Sequence, residues 1–191
     1  MNNLIIGLVG LPASGKSSVA EFLGKKGFKT VILSAFIKKA LKKEGLAINR
    51  KNLQDMGDRL RKTKGTGILA RLALTEIKNN KIKKAVIDGI RNLAEIKELQ
   101  KQENFYLLGI SATPDKRFLR LTKNKEAGKK LTTWEDFVAD EIREDAGLKD
   151  QSGQQNRLCY LQANYYIDNN SGLRSLEKKI IKILARITNS G

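Results

Sequence analysis

The chain has 191 residues, a length that suits a single domain with a substantial core. It contains no histidine and one cysteine, Cys159, which excludes histidine general-base catalysis, histidine–metal sites and an intramolecular disulfide. The single cysteine favours a cytoplasmic location. No apolar run approaches the roughly 20 residues that a membrane helix needs, so we expect no membrane partner.

The formal net charge of +17 indicates an anionic partner, unless it reflects lysine-rich codon usage. The lysines form short scattered clusters without interleaved aromatic residues. This pattern favours a solvated basic surface around a small anionic ligand. A nucleic-acid partner is possible but not favoured.

Apolar runs alternate with helical patterns along the chain, which predicts a parallel sheet with helices on both faces. The predicted strands cover residues 4–9, 28–33, 85–89, 105–111 and 164–168. A helical pattern between the second and third strands is too long for a simple crossover, and it predicts a helical insertion at about 34–80.

A second helical excursion follows the fourth strand and predicts a lid at about 114–150. One helix start is predicted at Thr113-Pro114 and another at a capping box, Thr132 to Glu135. The polar segment 123–130 between them predicts a mobile loop. A last amphipathic helix is expected at about 172–188. No repeat or linker divides the chain, so residues 1–191 are expected to form one domain.

Residues 10–17, Gly-Leu-Pro-Ala-Ser-Gly-Lys-Ser, fit the phosphate-binding pattern G-x-x-x-x-G-K-[ST] at every fixed position. A strand pattern precedes them and a helical pattern follows, which argues against a chance glycine-rich turn. Such a loop points backbone N–H groups at a phosphate, its lysine reaches the outer phosphates, and its last hydroxyl can bind Mg²⁺. The predicted nucleotide-binding residues here are Gly10, Pro12, Ala13, Ser14, Gly15, Lys16, Ser17 and Ser18.

Asp88 ends the third predicted strand, at the sheet edge where ligands of parallel sheets bind. With Ser17 it is the predicted Mg²⁺ site, although an aspartate that only caps the next helix fits the same pattern. Arg91 follows in the loop, where its planar guanidinium suits a phosphate. A solvated arginine is the alternative.

The stretch Asp88-Gly89-Ile90-Arg91 resembles the Asp-Gly-(aromatic)-Pro-Arg stretch of nucleoside monophosphate kinases. It is closer still to a branch of predicted nucleotide kinases related to dephospho-coenzyme A kinase and deoxynucleoside monophosphate kinases. That branch has an arginine pair after strand four, a tryptophan-glutamate-aspartate lid helix and a characteristic ending, matched here by Arg117 with Arg120, 134–136 and 163–169. The resemblance implies a three-layer α/β/α P-loop fold, strand order 2-3-1-4-5, and ATP with Mg²⁺.

The resemblance also implies roles for individual residues. Asn169 lies in the stretch matching the family's adenine-side loop, so it joins the nucleotide site. Residues expected to act on the transferred phosphoryl group are Lys16, Arg91, Arg117, Arg120 and Arg143, although a lid arginine that pairs with Asp140, Glu141 or Glu144 would only be structural. Residues expected on the acceptor side are Ser34, Lys39, Arg61 and Arg91, although a solvated helix arginine is the alternative for Arg61. The run Ser34 to Lys39 departs from the family's Thr-Gly-Asp and arginine, which leaves the acceptor open.

The predicted reaction is ATP plus a nucleoside or deoxynucleoside monophosphate giving ADP plus the diphosphate, catalysed by a monomer or dimer. One alternative is a dephospho-coenzyme A kinase-like enzyme. Others are a P-loop ATPase or nucleotide switch that binds nucleic acid, and a kinase-like protein that binds nucleotide without turnover.

Overall fold

The computed structural model describes residues 3–123, 133–145 and 154–189. Five strands form one parallel sheet in the order β2-β3-β1-β4-β5, which confirms the predicted topology. The strands are β1 Leu4–Val9, β2 Lys29–Ile32, β3 Lys84–Asp88, β4 Phe105–Ser111 and β5 Tyr165–Asp168. Each begins and ends within one residue of its predicted limits.

Nine helices in the described part of the chain flank this sheet. They are α1 Lys16–Lys25, α2 Leu33–Lys43, α3 Arg50–Lys64, α4 Ile68–Asn79, α5 Leu93–Leu99, α6 Pro114–Lys123, α7 Trp134–Asp145, α8 Asn156–Leu161 and α9 Leu173–Asn189. None of the helices in that part is long and apolar enough to cross a membrane.

The core forms two buried clusters because the central strands are apolar on both faces. Ile6, Leu8 and Val86 pack against α1 and α9 on one side. Ile5, Val9 and Ile87 pack with α2, α4 and α5 on the other. Since β1 pairs with both β3 and β4, the carboxyl ends of these three strands meet at one edge.

The predicted insertion is three helices, α2 to α4, and α2 begins directly where β2 ends. In the predicted lid, Thr133 caps α7, because its Oγ1 accepts a hydrogen bond of 3.1 Å from the Asp136 N–H. The capping residue is therefore one position later than the capping box predicted. Thr132 and most of the predicted loop at 123–130 lie outside the described residues.

Candidate phosphate-binding site

The loop between β1 and α1 depends on two glycines in backbone conformations that other residues rarely adopt. Gly10 has a φ of 143°, and a Cβ there would lie 2.1 Å from the carbonyl oxygen of Ile110. Gly15 has a φ of 110°, and a Cβ there would lie 2.1 Å from Asn169 Nδ2. The fixed glycines of the motif are therefore required by the closeness of β4 and of the residue after β5.

The start of α1 is open to an anion. Gly15 occupies the N-cap position, and no side chain in the described residues caps this helix. The first N–H groups of α1 therefore need an outside partner, and the helix dipole favours a negative one. The Lys16 ammonium lies over the same loop, 2.8 Å from the Gly10 carbonyl oxygen and 3.1 Å from that of Leu11.

Arg120 and Asn169 fasten the loop from outside. The Arg120 guanidinium donates to the carbonyl oxygens of Ala13 at 3.0 Å, Ser14 at 3.2 Å and Asn169 at 2.7 Å. Asn169 Nδ2 also donates to the Ser14 carbonyl oxygen at 2.8 Å. The Ser14 hydroxyl is buried without a hydrogen-bond partner in the described structure, so Ser14 contributes here through its backbone.

The other predicted loop residues divide by exposure. Ser17, in the first turn of α1, is exposed, while Pro12, Ala13 and Ser18 are half-buried. A serine hydroxyl in this position is open to a metal ion or a phosphate.

Asp88 lies at the end of β3, and one of its carboxylate oxygens, Oδ1, accepts the Gly89 N–H at 2.7 Å. Hydroxyl and carboxylate oxygens are hard ligands of the kind that Mg²⁺ prefers. The described residues contain no cluster of three or more acidic or cysteine side chains that would hold a metal without help. Ser17 and Asp88 therefore fit a Mg²⁺ that takes its other ligands from water and phosphate oxygens.

Arg91 is held by residues that follow the predicted lid. Its Nη1 donates to Gln154 Oε1 at 2.7 Å, and its carbonyl oxygen accepts the Gln155 N–H at 2.7 Å. Its own N–H donates to Glu95 Oε2 at 2.9 Å. The loop after β3 is thus tied both to α5 and to the chain that returns from the lid.

Glu95 is a buried residue of this network that the sequence reasoning missed. It accepts from Arg61 Nη2 at 3.0 Å and caps its own helix through the Asn92 N–H at 3.2 Å. Burial raises the pKa of the Glu95 carboxyl, while Arg61 and the N–H groups of Arg91 and Asn92 lower it. The pattern Asn92-Leu93-Ala94-Glu95 fits a capping box and was the available signal.

Arg61, predicted on the acceptor side, is itself buried, with 4% of its side chain exposed. It bonds Glu95 and also Asp58, at 3.3 Å. The structure therefore places the Arg61 guanidinium inside the insertion–core interface.

Ser34 lies in the first turn of α2, beside the loop after β3. A Cβ on Gly89 would be 3.7 Å from the Leu33 nitrogen and 3.8 Å from the Ser34 nitrogen. No described side chain caps α2, so a second helix start faces the same region. Lys39 is exposed about 140° around α2 from Ser34, whereas Lys38, four residues on, shares the Ser34 side.

The predicted lid arginines have different positions. Arg117 is buried and bonds both oxygens of Glu141, one of them, Oε2, at 2.8 Å, while its Nε donates to the Ala112 carbonyl oxygen at 3.1 Å. It joins α6 to α7. Arg120 contacts the P-loop, residues 10–17, as described above. Arg143 is in α7, but its side chain lies outside the described residues.

No protein-family model matches the chain. A UPF0200 protein of Methanoregula boonei is 36% identical over 124 residues, which cover 64% of this chain and 68% of that protein. The chain belongs to the UPF0200 family. The family name by itself assigns no substrate to this UPF0200 chain.

Solved structures show the same fold over nearly the whole UPF0200 chain. The protein TT1252 from Thermus thermophilus superposes with a TM-score of 0.62 and 21% identity, covering 97% of this chain and 98% of its own. Shikimate kinase from Acinetobacter baumannii, in complex with shikimate, gives a TM-score of 0.56 and 17% identity, covering 96% and 94%. The described chain therefore shares its fold with TT1252 and with this shikimate kinase.

Proposed function

We propose that this UPF0200 protein is an ATP-dependent phosphotransferase of the nucleoside monophosphate kinase type. The observation that carries the proposal is the meeting of three features at one sheet edge: the glycine-dependent loop with Lys16, the Asp88 carboxylate and the Arg91 loop. The P-loop kinase fold of the solved neighbours supports the same class of reaction.

In the proposed reaction, an acceptor oxygen forms a bond to the γ-phosphorus of ATP while the bond to the bridging oxygen breaks and ADP leaves. The N–H groups at the start of α1 and the Lys16 ammonium hold the donor phosphates. A Mg²⁺ held by Ser17 and Asp88 would supply charge neutralisation. Catalysis then consists of alignment and electrostatic stabilisation, and needs no covalent intermediate.

The acceptor is expected beside Ser34, because the open start of α2 and Gly89 adjoin there. An acceptor phosphate would bind these N–H groups and Arg91. The Arg91 guanidinium now donates to Gln154, and it would have to give up that hydrogen bond to bind the transferred phosphoryl group. Lys38, on the same side of α2 as Ser34, is a better placed cation than Lys39.

A hydroxyl acceptor, as in dephospho-coenzyme A kinase, is the second candidate. The observation favouring it is the Asp88 carboxylate, which adjoins the start of α2 through Gly89 and is a potential general base. We prefer a phosphate acceptor because Asp88 is also the proposed Mg²⁺ ligand, and a carboxylate bound to a metal is a poor general base.

The test is coupled ADP release from ATP and Mg²⁺ with a panel of ribo- and deoxynucleoside monophosphates, dephospho-coenzyme A and shikimate. We expect turnover with one class of acceptor and its loss in Lys16→Ala. Lys178→Ala removes an exposed lysine of α9 and serves as the matched control. ADP release that is indifferent to every acceptor would contradict the kinase assignment and favour an ATPase or nucleotide switch.

A further inference from the structure

A groove of about 330 Å³ lies at the amino ends of β2 and β3, the sheet edge opposite the P-loop. Its lining residues are Gly27, Lys29, Asn80, Lys81, Ile82, Lys83 and Lys84. Its lysines come from two distant parts of the sequence. Parallel pairing of the two strands, with Lys29 opposite Ala85, brings those parts together.

The groove is strongly positive. Four lysines line it and no carboxylate does. Within the described chain, no ion pair involves any of these four; the Lys84 ammonium lies 5.8 Å from the centre of the Phe28 ring. The carboxylate of Glu21 on α1 is not part of the groove lining, and it forms an ion pair of 3.2 Å with Lys25 instead. The four lysines are therefore exposed cations with no ion-pair partner in the described chain, and an anion from solution can reach them.

We propose that this basic groove binds the phosphate backbone of double-stranded nucleic acid. A duplex carries one charge per roughly 1.7 Å of its axis, so Lys29 on β2, Lys84 on β3 and the two lysines just before β3 can contact several phosphates at once. The lysines are exposed and open, which suits a long polyanion better than one small anion held in a closed pocket.

Two other polyanionic surfaces fit the groove less well. Single strands are bound by aromatic side chains that stack on bases, and no aromatic residue lines this groove. Membrane surfaces call for an apolar anchor beside the charge. The exposed large apolar side chains of the described chain lie elsewhere, and Ile82 packs into the core.

The basic groove is separate from the proposed reaction site. Lys84 and Asp88 are the two ends of β3, about 13 Å apart at 3.3 Å per residue. Nucleic acid and nucleotide can therefore be bound together, and the proposal does not depend on the kinase assignment.

The experiment measures fluorescence anisotropy of a labelled 20-base-pair duplex, as DNA and as RNA, from 50 to 200 mM salt. If four phosphates are neutralised, the slope of log affinity against log salt is about −3.6 for DNA. The groove variant carries Lys29→Gln, Lys81→Asn, Lys83→Gln and Lys84→Gln; asparagine suits position 81, where φ is 51°. The matched control has the same charge loss at exposed positions outside the groove: Lys42→Gln, Lys43→Gln, Lys178→Gln and Lys182→Gln.

We expect the groove variant to lose at least about 10-fold in affinity at 100 mM salt. The slope of log affinity against log salt should also flatten, because the variant neutralises fewer phosphates and so releases fewer counterions. The control should change by less than about threefold, and both variants should melt as the wild type does and keep its ATP turnover. Binding to DNA alone or RNA alone supports the proposal and names the duplex.

Equal losses in both variants would overturn the proposal, since general charge would then explain binding. Absence of wild-type binding at 50 mM salt would also overturn it. The proposal would also be overturned if the wild type bound phosphatidylserine vesicles more tightly than duplex and the groove variant lost that vesicle binding.

Discussion

At the scale of single residues, Arg120 has the most direct link to the proposed site. Its guanidinium spans two carbonyl oxygens of the P-loop and one of the residue after β5. Because Arg120 holds these carbonyls and no described side chain caps α1, the first N–H groups of α1 stay open to a donor phosphate. The family resemblance placed this arginine on the transferred group, whereas the structure places it on the loop that would bind the donor.

We expect Arg120→Ala to weaken binding of ATP and Mg²⁺ by about 10-fold or more, since hydrogen bonds to charged groups contribute about 1.5–3 kcal/mol each. Arg120→Lys should restore little, because a lysine lacks the planar fork that reaches three carbonyls. Isothermal titration calorimetry measures the dissociation constant, with Arg174→Ala on the exposed side of α9 as control. Unchanged affinity in Arg120→Ala would show that the loop holds its shape without the clamp.

Substitution by alanine at Gly15 and at Gly24 should change the free energy of unfolding in opposite directions. Gly15→Ala places a methyl group against Asn169 at a φ of 110°, so the free energy of unfolding should fall by about 1–2 kcal/mol and ATP affinity should fall with it. A methyl group on Gly24, which lies within α1, would meet no other atom within 4 Å, so Gly24→Ala should raise the free energy of unfolding by about 0.5–1 kcal/mol. Urea denaturation of both variants checks the pair, and a loss of stability in Gly24→Ala would count against the described helix.

At the scale of elements, the loop after β3 is where the insertion, the core and the lid meet. Arg61 of α3 bonds Glu95 of α5, Glu95 bonds the Arg91 N–H, and Arg91 bonds Gln154 and Gln155 beyond the lid. A movement of the insertion or of the lid would therefore change the position of Arg91. The Arg61–Glu95 bonds of this link are buried and the Arg91 bonds to Glu95 and Gln154 are partly buried, so the link has few alternative arrangements.

Arg61→Met should lower the free energy of unfolding by about 3–5 kcal/mol, because it leaves the buried Glu95 carboxylate without its cation. The loss should also depend on pH. Burial already raises the folded-state pKa of Glu95, and without Arg61 that pKa rises further. A carboxyl with a raised folded pKa favours the fold below its unfolded pKa, and this contribution disappears as pH rises through the folded value.

The Arg61→Met variant should therefore be less destabilised, relative to wild type, at pH 5 than at pH 8. Urea denaturation at the two values measures the difference. Adding Glu95→Gln to Arg61→Met should remove the pH dependence. A variant whose loss is the same at both values would show that Glu95 does not carry the charge assigned to it.

At the scale of the whole molecule, the packed core excludes solvent from the single thiol of the chain. Cys159 of α8 is fully buried in the core cluster that also contains Leu107 and Ile96. Burial raises the pKa of the Cys159 thiol to about 12, and the nearby Glu95 carboxylate adds to the effect. Thiolate is therefore scarce at ordinary pH, and access requires that α8 leave the sheet.

Cys159 should consequently report global unfolding. In native buffer at pH 8 we expect iodoacetamide to label it at least about 100-fold more slowly than in 8 M urea, since the thiol reacts as thiolate. The urea midpoint for labelling should coincide with the midpoint measured by circular dichroism. Rapid labelling under native conditions would mean that α8 opens locally, without the rest of the core.

The strands and the phosphate-binding loop were predictable because their signals are local. Short apolar runs at intervals predict buried parallel strands, and the motif at 10–17 is one continuous stretch whose glycines can adopt the backbone angles that the loop needs. Asp88 was also predictable, since the end of a buried strand determines its place at the edge. The cap at Thr133 was misplaced by one residue because two threonines in succession satisfy the same pattern.

The sequence by itself determined the fold class and a loop built for phosphate, because each depends on neighbours in the chain, whereas the strand order was expected only from the resemblance to a known kinase family. Only the tertiary structure decided which charges are engaged. It buried Arg61 against Glu95, joined Arg117 to Glu141 and set Arg120 on the P-loop carbonyls. It also gathered distant lysines into one groove. An arginine looks the same in the sequence whether it meets a ligand, a carboxylate or water, and only long-range packing determines its partner.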